Sequence, residues 1–452
     1  MSHSASDRLA AAAANVQTSS LRGDVRTQAR DLFLDTLAVI AAGLTDPDYS
    51  RFTATLTAET GDASVPGVSH GVPVANAVQI NGGATTVLQL QDGHRLGRGH
   101  PVSHMAPALL ALAETTDASA DAVCGALVAG YEVGARIGMA MNGFNEFLHD
   151  TGTWSTIGTA VACSHLLSKG DAAAIARAIE TAAATALMPY RDLPLKGASA
   201  HHTYTGLGAM NGVIAAQSAI AGLVPVQGSL DAFFGPRAGA AFKASELTQG
   251  LSADDTFTHF EILNAYFKVH PTCAHLHGAN DALLQLMSQH AFTAADVERM
   301  EIATYASGLS FDNPAPHNAL SARFSQAAAA AIAVCCGALD ETTLTDDMLA
   351  RDDVQALIKR ITVAQDPALD AGYPAGRPAR VTIALSSGGQ LSASAHIPRG
   401  DGGRDFTAQD RRDKALRLLT RRFDHHAAAV LAACDSYWDG DEIGVLSHAL
   451  RS

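Results

Sequence analysis

Residues 126–135 read Ala-Leu-Val-Ala-Gly-Tyr-Glu-Val-Gly-Ala, a helical stretch apolar on nearly every side and built largely from small residues. A helix without a polar face must be buried, and small side chains let neighbouring helices approach closely. This texture recurs through the first 290 residues, with helical segments expected near 105–116, 119–141, 153–168, 171–188, 206–223 and 277–289. Val25, Ala29, Leu32, Phe33, Leu37 and Ile40 keep the same three-to-four spacing, and Gly43 stands where a C-terminal cap belongs. Ser119 and Asp171 are expected N-caps. A large, tightly packed helical core follows.

The pattern changes after about residue 290. Met300, Ile302 and Thr304 alternate as in a strand, and Val381-Ile383-Leu385 and Leu391-Ala393-Ala395 flank Ser386-Ser387-Gly388-Gly389, a hairpin signal. Two helices are expected between them, near 321–338 and 345–361. Pro398–Arg404 reads as a linker, and Thr407 with Asp410 opens a further helix in capping-box spacing. The expected class is mainly α, a large all-helical domain (1–268 and 404–452) with a smaller α+β lid domain (269–403).

Charge narrows the partners. Only 17% of the 452 residues are charged, with 45 acidic against 31 basic, a net charge of −14. So acidic a chain lacks the basic footprint for nucleic acid or an anionic membrane. No uninterrupted apolar run reaches the roughly 18 residues of a membrane span. Met1–Asn15 has no basic segment followed by an apolar one, so no secretory leader is expected and the reading is cytoplasmic. Six scattered cysteines suit neither a disulfide framework nor structural zinc.

The 19 histidines, about 4% of the chain, cluster in four glycine-punctuated or polar stretches. Gln91-Asp92-Gly93-His94-Arg95 leads to Arg98-Gly99-His100-Pro101, a loop with a carboxylate to orient an imidazole and arginines to hold an anion. His149-Asp150-Thr151-Gly152 precedes an apolar helix, where His149 faces an anion or Asp150 or Thr151 simply caps the helix. Lys196, His201 and His202 precede a small-residue helix, and Lys268, His270, Cys273, His275 and His277 mark the hinge between the two textures. A metal bound by His100, His104, His275 and His277 is an alternative, without the HExxH or acidic neighbours that usually accompany one. A Cys273 nucleophile is another, set against a buried structural thiol.

Taken in order, Asn81-Gly82, Asp92-Gly93-His94-Arg95, His100-Pro101, Gly130-Tyr131-Glu132-Val133, His149-Asp150-Thr151-Gly152-Thr153, Met210-Asn211-Gly212-Val213, Pro271-Thr272-Cys273 with His277, and Ala322-Arg323-Phe324-Ser325 resemble the MmgE/PrpD family. The family includes 2-methylcitrate dehydratase, cis-aconitate decarboxylase and iminodisuccinate epimerase. The resemblance implies a homodimer with its site in a cleft between a helical domain and an α+β lid, no metal or organic cofactor, and a small carboxylic-acid substrate. It also implies proton movement next to a carboxylate, which needs a base tuned near neutral pH and cations to hold the developing charge.

Position by position, the resemblance gives His100, His149 and Asp92 as catalytic residues, Asp92 orienting a histidine. It gives His201 and His277 as substrate contacts, and the neighbouring His94, Arg95, Lys196, His202 and Lys268 of the same stretches are further expected substrate-binding residues. Three positions depart from the family: its first aspartate is Gln91 here, its decarboxylase-like lysine is His201, and the tyrosine that some members carry beyond Phe324-Ser325 falls on Ala328 or a neighbouring alanine. The expected activity is therefore a dehydratase-like lyase on a small hydroxy- or polycarboxylic acid, with an isomerase, an epimerase or a decarboxylase as alternatives on the same scaffold.

Overall fold

A computed structural model describes residues 4–402 and 406–452. The expected helices are present as Val102–Thr116, Ala120–Met141, Trp154–Ser168, Ala172–Thr185, Thr203–Ile220 and His277–Gln289. Ser119 accepts from Ala122 N–H and Asp171 from Ala173 N–H, as N-caps do, and Thr407 with Asp410 forms a complete capping box. Ala5–Ala14, Pro47–Leu56 and Val74–Ala84 add shorter helices to the first half.

Small residues explain how these helices pack. A Cβ on Gly130 would lie 2.5 Å from the Gly158 carbonyl oxygen, and one on Gly158 would lie 2.9 Å from that of Gly130. Backbone therefore rests on backbone where Ala120–Met141 crosses Trp154–Ser168. Gly43 answers the same need rather than capping its helix. The cap is Leu44 in right-handed conformation, and a Cβ on Gly43 would meet the Ala84 carbonyl oxygen at 2.1 Å.

The helix Ala120–Met141 is long and apolar enough to cross a membrane, but 89% of its most apolar window is buried in this protein. Its one buried ion pair, Arg136 Nη1 to Glu132 Oε2 at 2.6 Å, is fully satisfied. Glu132 also accepts from the N–H groups of Glu261 and Ile262, so the pair pins the segment that leads to Lys268.

The second texture is a four-stranded sheet in the order Ile361–Gln365, Val297–Thr304, Ala379–Leu385, Gln390–Ala395. The first pair is parallel and the others antiparallel, with Ile302 opposite Val381 and Ile383 opposite Leu391. The helix expected near 345–361 is split into Asp346–Leu349 and Asp352–Ile358, and the strand Ile361–Gln365 begins where that helix is expected to end. The second piece stops at Ile358, and β-branched Ile361, Thr362 and Val363 suit a strand. The expected helix near 321–338 also splits, because Ser325 leaves helical conformation to cap Gln326–Cys336.

Buried apolar residues form two clusters. One runs from Leu9 to Phe267 and resumes from Ala415 to Leu450; the other lies between Cys273 and Ala395. Arg323 ties them together: its buried guanidinium donates to the carbonyls of Leu88, Pro271 and Leu344. Of the expected linker, Pro398–Gly402 is described and Arg404 lies outside the described residues.

Candidate active site

The loop before Val102–Thr116 is organised by a helix that cannot cap itself. Pro101 precedes it and offers no side-chain cap, so the Asp92 carboxylate serves from outside. It accepts from Val102 N–H and Ser103 N–H, both at 3.0 Å, and from the Ser103 hydroxyl at 2.8 Å. Burial pushes this carboxyl up to about 6. The carboxylate thus does not orient an imidazole; the contact to His100 comes from the Asp92 main chain, whose carbonyl oxygen lies 2.5 Å from His100 Nδ1.

That contact fixes the ring. A carbonyl only accepts, so His100 Nδ1 carries the hydrogen, and in the neutral imidazole Nε2 keeps its lone pair. Burial, with Lys268 nearby, holds His100 well below the usual histidine range, so the ring is neutral at pH 7. His104, one turn on, donates from Nδ1 to the His100 carbonyl at 2.9 Å and accepts from Gly152 N–H at Nε2, also at 2.9 Å. Both of its nitrogens are used in joining this turn to the His149 loop.

His149 has the opposite arrangement. Its Nδ1 accepts from Thr151 N–H at 3.1 Å, so in the neutral ring Nε2 carries the hydrogen. Burial and the nearby Arg191 lower its pKa to about 3. Neither Asp150 nor Thr151 caps the following helix. Thr153 stands at that position and makes no side-chain cap bond. Asp150 instead turns inward, with Oδ1 3.1 Å from His149 Nδ1 and Oδ2 3.8 Å from His100 Nε2.

These groups face a cavity of about 220 Å³ between the two clusters. The helical side contributes Gln89, Arg98, His100, His149, Asp150, Arg191 and Lys268; the α+β side contributes Cys273, His275, Phe311, Tyr373 and Arg377. Gln89 and Arg98 both hold left-handed backbone, at φ 53° and 55°, a conformation costly for side-chain-bearing residues and common at functional sites. Lys268 is buried, its ammonium 3.4 Å from Gln89 Oε1, and desolvation brings its pKa down to about 8.

Three arginines line the cavity, each lying over an aromatic ring: Arg98 over Tyr373, Arg191 over Phe311 and Arg377 over Tyr266. Each has a buried Nε with no hydrogen-bond partner among the described residues. Arg377 is held by Asp401 at 2.9 Å. The Cys273 thiol is also in the wall, but burial raises its pKa, which disfavours the thiolate a nucleophile needs.

Of the expected site residues, His100, His149 and Lys268 line the cavity. His201 is packed behind His149, ring centroids 4.9 Å apart, with Nδ1 unpartnered among the described residues. The others lie elsewhere. His94 is locked between Gly97 N–H and Glu261. Arg95 pairs with Asp401 at 2.5 Å. His202 bonds Thr86 and packs edge-on against Tyr49. His277 packs edge-on against His270, which is paired with Asp281. Lys196 pairs with Asp192 on the surface, its side chain 68% exposed. Among the described residues no group of three or more His, Cys, Asp or Glu side chains is arranged to hold a metal ion.

The expected site residues do not include Arg191, Tyr373 or Arg377, and Arg98, His275 and Asp150 enter only as a loop arginine suited to an anion, a ligand in the metal alternative and a possible helix cap. Arg98, Asp150 and His275 lay within the stretches that drew attention, whereas Arg191, Tyr373 and Arg377 carry no local signal.

The MmgE/PrpD N-terminal domain matches residues 7–241, and the MmgE/PrpD C-terminal domain matches residues 270–440. The chain belongs to the MmgE/PrpD family. Cis-aconitate decarboxylase of Aspergillus terreus is 22% identical over 419 residues, which cover 86% of this chain and 84% of that protein. The family's C-terminal domain extends past the sheet into Ala408–Phe423 and Ala427–Trp438, yet those helices pack into the first cluster. The cavity accordingly draws on both MmgE/PrpD domains.

Proposed function

We propose that this chain is a cofactor-independent, dehydratase-like lyase that removes a proton α to a carboxylate of a small hydroxy- or polycarboxylic acid. The observation that carries the reading is the bare Nε2 of His100, presented to a cavity walled by Arg98, Arg191, Arg377 and Lys268. Burial and Lys268 hold His100 low, and the negative charge of a bound carboxylate would raise it toward the neutral range a base needs. Four cationic side chains compensate the charge that spreads onto the carboxylate as the proton leaves. His149 presents Nε2–H and so serves as a hydrogen-bond donor rather than as a second base.

The test is His100→Gln and His149→Gln, assayed separately for elimination and for exchange of the α-hydrogen with deuterated solvent. His100→Gln loses both activities by about 10²–10⁴-fold, the usual contribution of a positioned base. His149→Gln keeps exchange. Near-wild-type exchange in a folded His100→Gln protein would sink the reading, and exchange without net elimination in the wild type would replace the lyase by an epimerase.

A homodimer belongs to the same proposal. Leu207, Ile214, Ile220, Leu223 and Val224 are exposed along and just after one helix, Val224 by 88%. This apolar strip, on a chain only 17% charged, suits a second copy, which light scattering would detect.

A further inference from the structure

Asp150 is placed as a residue that carries a proton, and it has no assigned role. Its Oδ1 lies 3.1 Å from His149 Nδ1. That nitrogen already accepts from Thr151 N–H and meets the Thr151 hydroxyl, and the Asp150 carboxylate draws on the same N–H. Oδ1 and Nδ1 therefore share donors and need no proton between them. The second oxygen, Oδ2, is different: it is buried without a hydrogen-bond partner among the described residues, 3.8 Å from His100 Nε2, and is the oxygen placed to carry a proton into the cavity. Burial favours the neutral form of both groups, pushing Asp150 up to about 7 and His149 down to about 3, so the acid of the pair is Asp150.

We propose that Asp150, as the neutral acid, protonates the departing hydroxyl while His100 takes the α-proton. This rests on the lyase reading above. The step balances. The Cα–H bond breaks toward His100 Nε2, its electron pair forms the double bond, and the β C–O bond breaks as the oxygen takes the Asp150 proton and leaves as water. The site is then an imidazolium facing a carboxylate across the 3.8 Å gap, and return of the proton to Asp150 restores both groups. Lys268 is the nearby cation opposing the acid form; Tyr266 and Cys273 also face Asp150, and both stay neutral at pH 7.

Asp150→Asn and Asp150→Glu separate this role from that of the base. With malate, citrate and 2-methylcitrate as probes, Asp150→Asn retains α-hydrogen exchange but loses elimination by about 10²–10⁴-fold, and Asp150→Glu recovers part of it. Wild-type kcat falls as pH rises above about 7, where the acid is spent, and Asp150→Asn loses that limb. Elimination at the wild-type rate in Asp150→Asn overturns the proposal and leaves the lyase reading intact. Loss of exchange only in His100→Gln supports both, and retained exchange there strikes at the lyase reading alone. A substrate-free readout decides the matter if none of the probes reacts. Infrared difference spectra of the wild type between pH 6 and 8 should show a protonated carboxyl band that Asp150→Asn lacks, and no such band overturns the proposal.

Discussion

The two walls of the cavity do different work. The helical wall carries the groups that change protonation: His100 with its free Nε2, Asp150, and Lys268 brought down to about 8. The α+β wall carries Arg377, with Tyr373, Phe311 and His275. The difference lies in what holds each wall. Main-chain contacts from a capped helix and a tight loop fix the helical wall, so its tautomers are set by backbone. Side-chain pairing holds the other: Arg377 between Asp401 and the Tyr266 ring, His275 between Tyr305 and Phe311. On the lyase reading the helical wall moves the protons, and both walls hold the anion, Arg98 and Arg191 from one side and Arg377 from the other.

The largest effect that would break this division is a kinetic one. Against the loss of kcat expected for His100→Gln, Arg377→Met should raise KM by about 10–100-fold, the value of a charge-assisted contact of roughly 1.5–3 kcal/mol, and change kcat less. Because Asp401 keeps Arg95 as a partner, the variant retains one neutralising contact for that buried acid. Steady-state kinetics on a carboxylate the wild type turns over, with a melting curve as a control for folding, gives the comparison. If Arg377→Met lowered kcat as far as His100→Gln with KM unchanged, the two walls would not be separate in function.

Acid should act mainly on the helical wall and its support. Burial lowers the pKa of eight histidines: His100, His104, His149, His165, His201, His202, His275 and His277. The unfolded chain binds protons on these groups below about pH 6.5, while the folded chain resists until lower pH, about 4 for His104 and about 3 for His149 and His202. Their contribution to stability is therefore complete above about 6.5 and lost progressively as pH falls. Seven carboxyls that burial raises work in the other direction, taking up protons when folded. A neighbouring cation opposes the rise in Asp31, Asp35, Glu114 and Glu132, which leaves Asp92 and Asp312 near 6 and Asp150 near 7 to set against the eight histidines over this interval. The urea midpoint should drop between pH 7 and 5, and His104→Gln should reduce that drop. A midpoint that rises over this interval would contradict the balance.

How much of this was legible depends on how local the cause is. Ser119, Asp171 and Thr407 announce their helices because a cap acts within three residues. Gly43 was misleading for the converse reason: its constraint is the Ala84 carbonyl, forty-one residues away and invisible to any window. At the site, His100 and His149 stand out because each shares a short loop with the groups that orient it. Asp150 was in view but read as an N-cap, since an acid before a helix usually is one. Only the three-dimensional path shows it turned toward His100. Arg191, Tyr373 and Arg377 reach the cavity from distant segments through packing alone, and no spacing in the chain connects them.

The smallest effect tests the boundary of the site itself. Lys196 has the composition expected of an anion-binding residue, next to a histidine pair and a small-residue helix. Its ammonium is 3.2 Å from Asp192 one turn back, and the same residue lies 5.9 Å from the Tyr190 ring centroid, so its charge is engaged locally. An exposed pair of this kind contributes little to either state and is screened by salt. The cation that this segment brings to the cavity wall is Arg191, held against the Phe311 ring and the Ser310 carbonyl on the opposite side of the cavity. Lys196→Ala should leave kcat and KM within about twofold of the wild type, below the cost of a typical net hydrogen bond, while Arg191→Ala raises KM by tenfold or more. A tenfold rise in KM for Lys196→Ala would mean that the segment carrying both residues swings inward when substrate binds, adding a second cation from it to the contact that Arg191 makes.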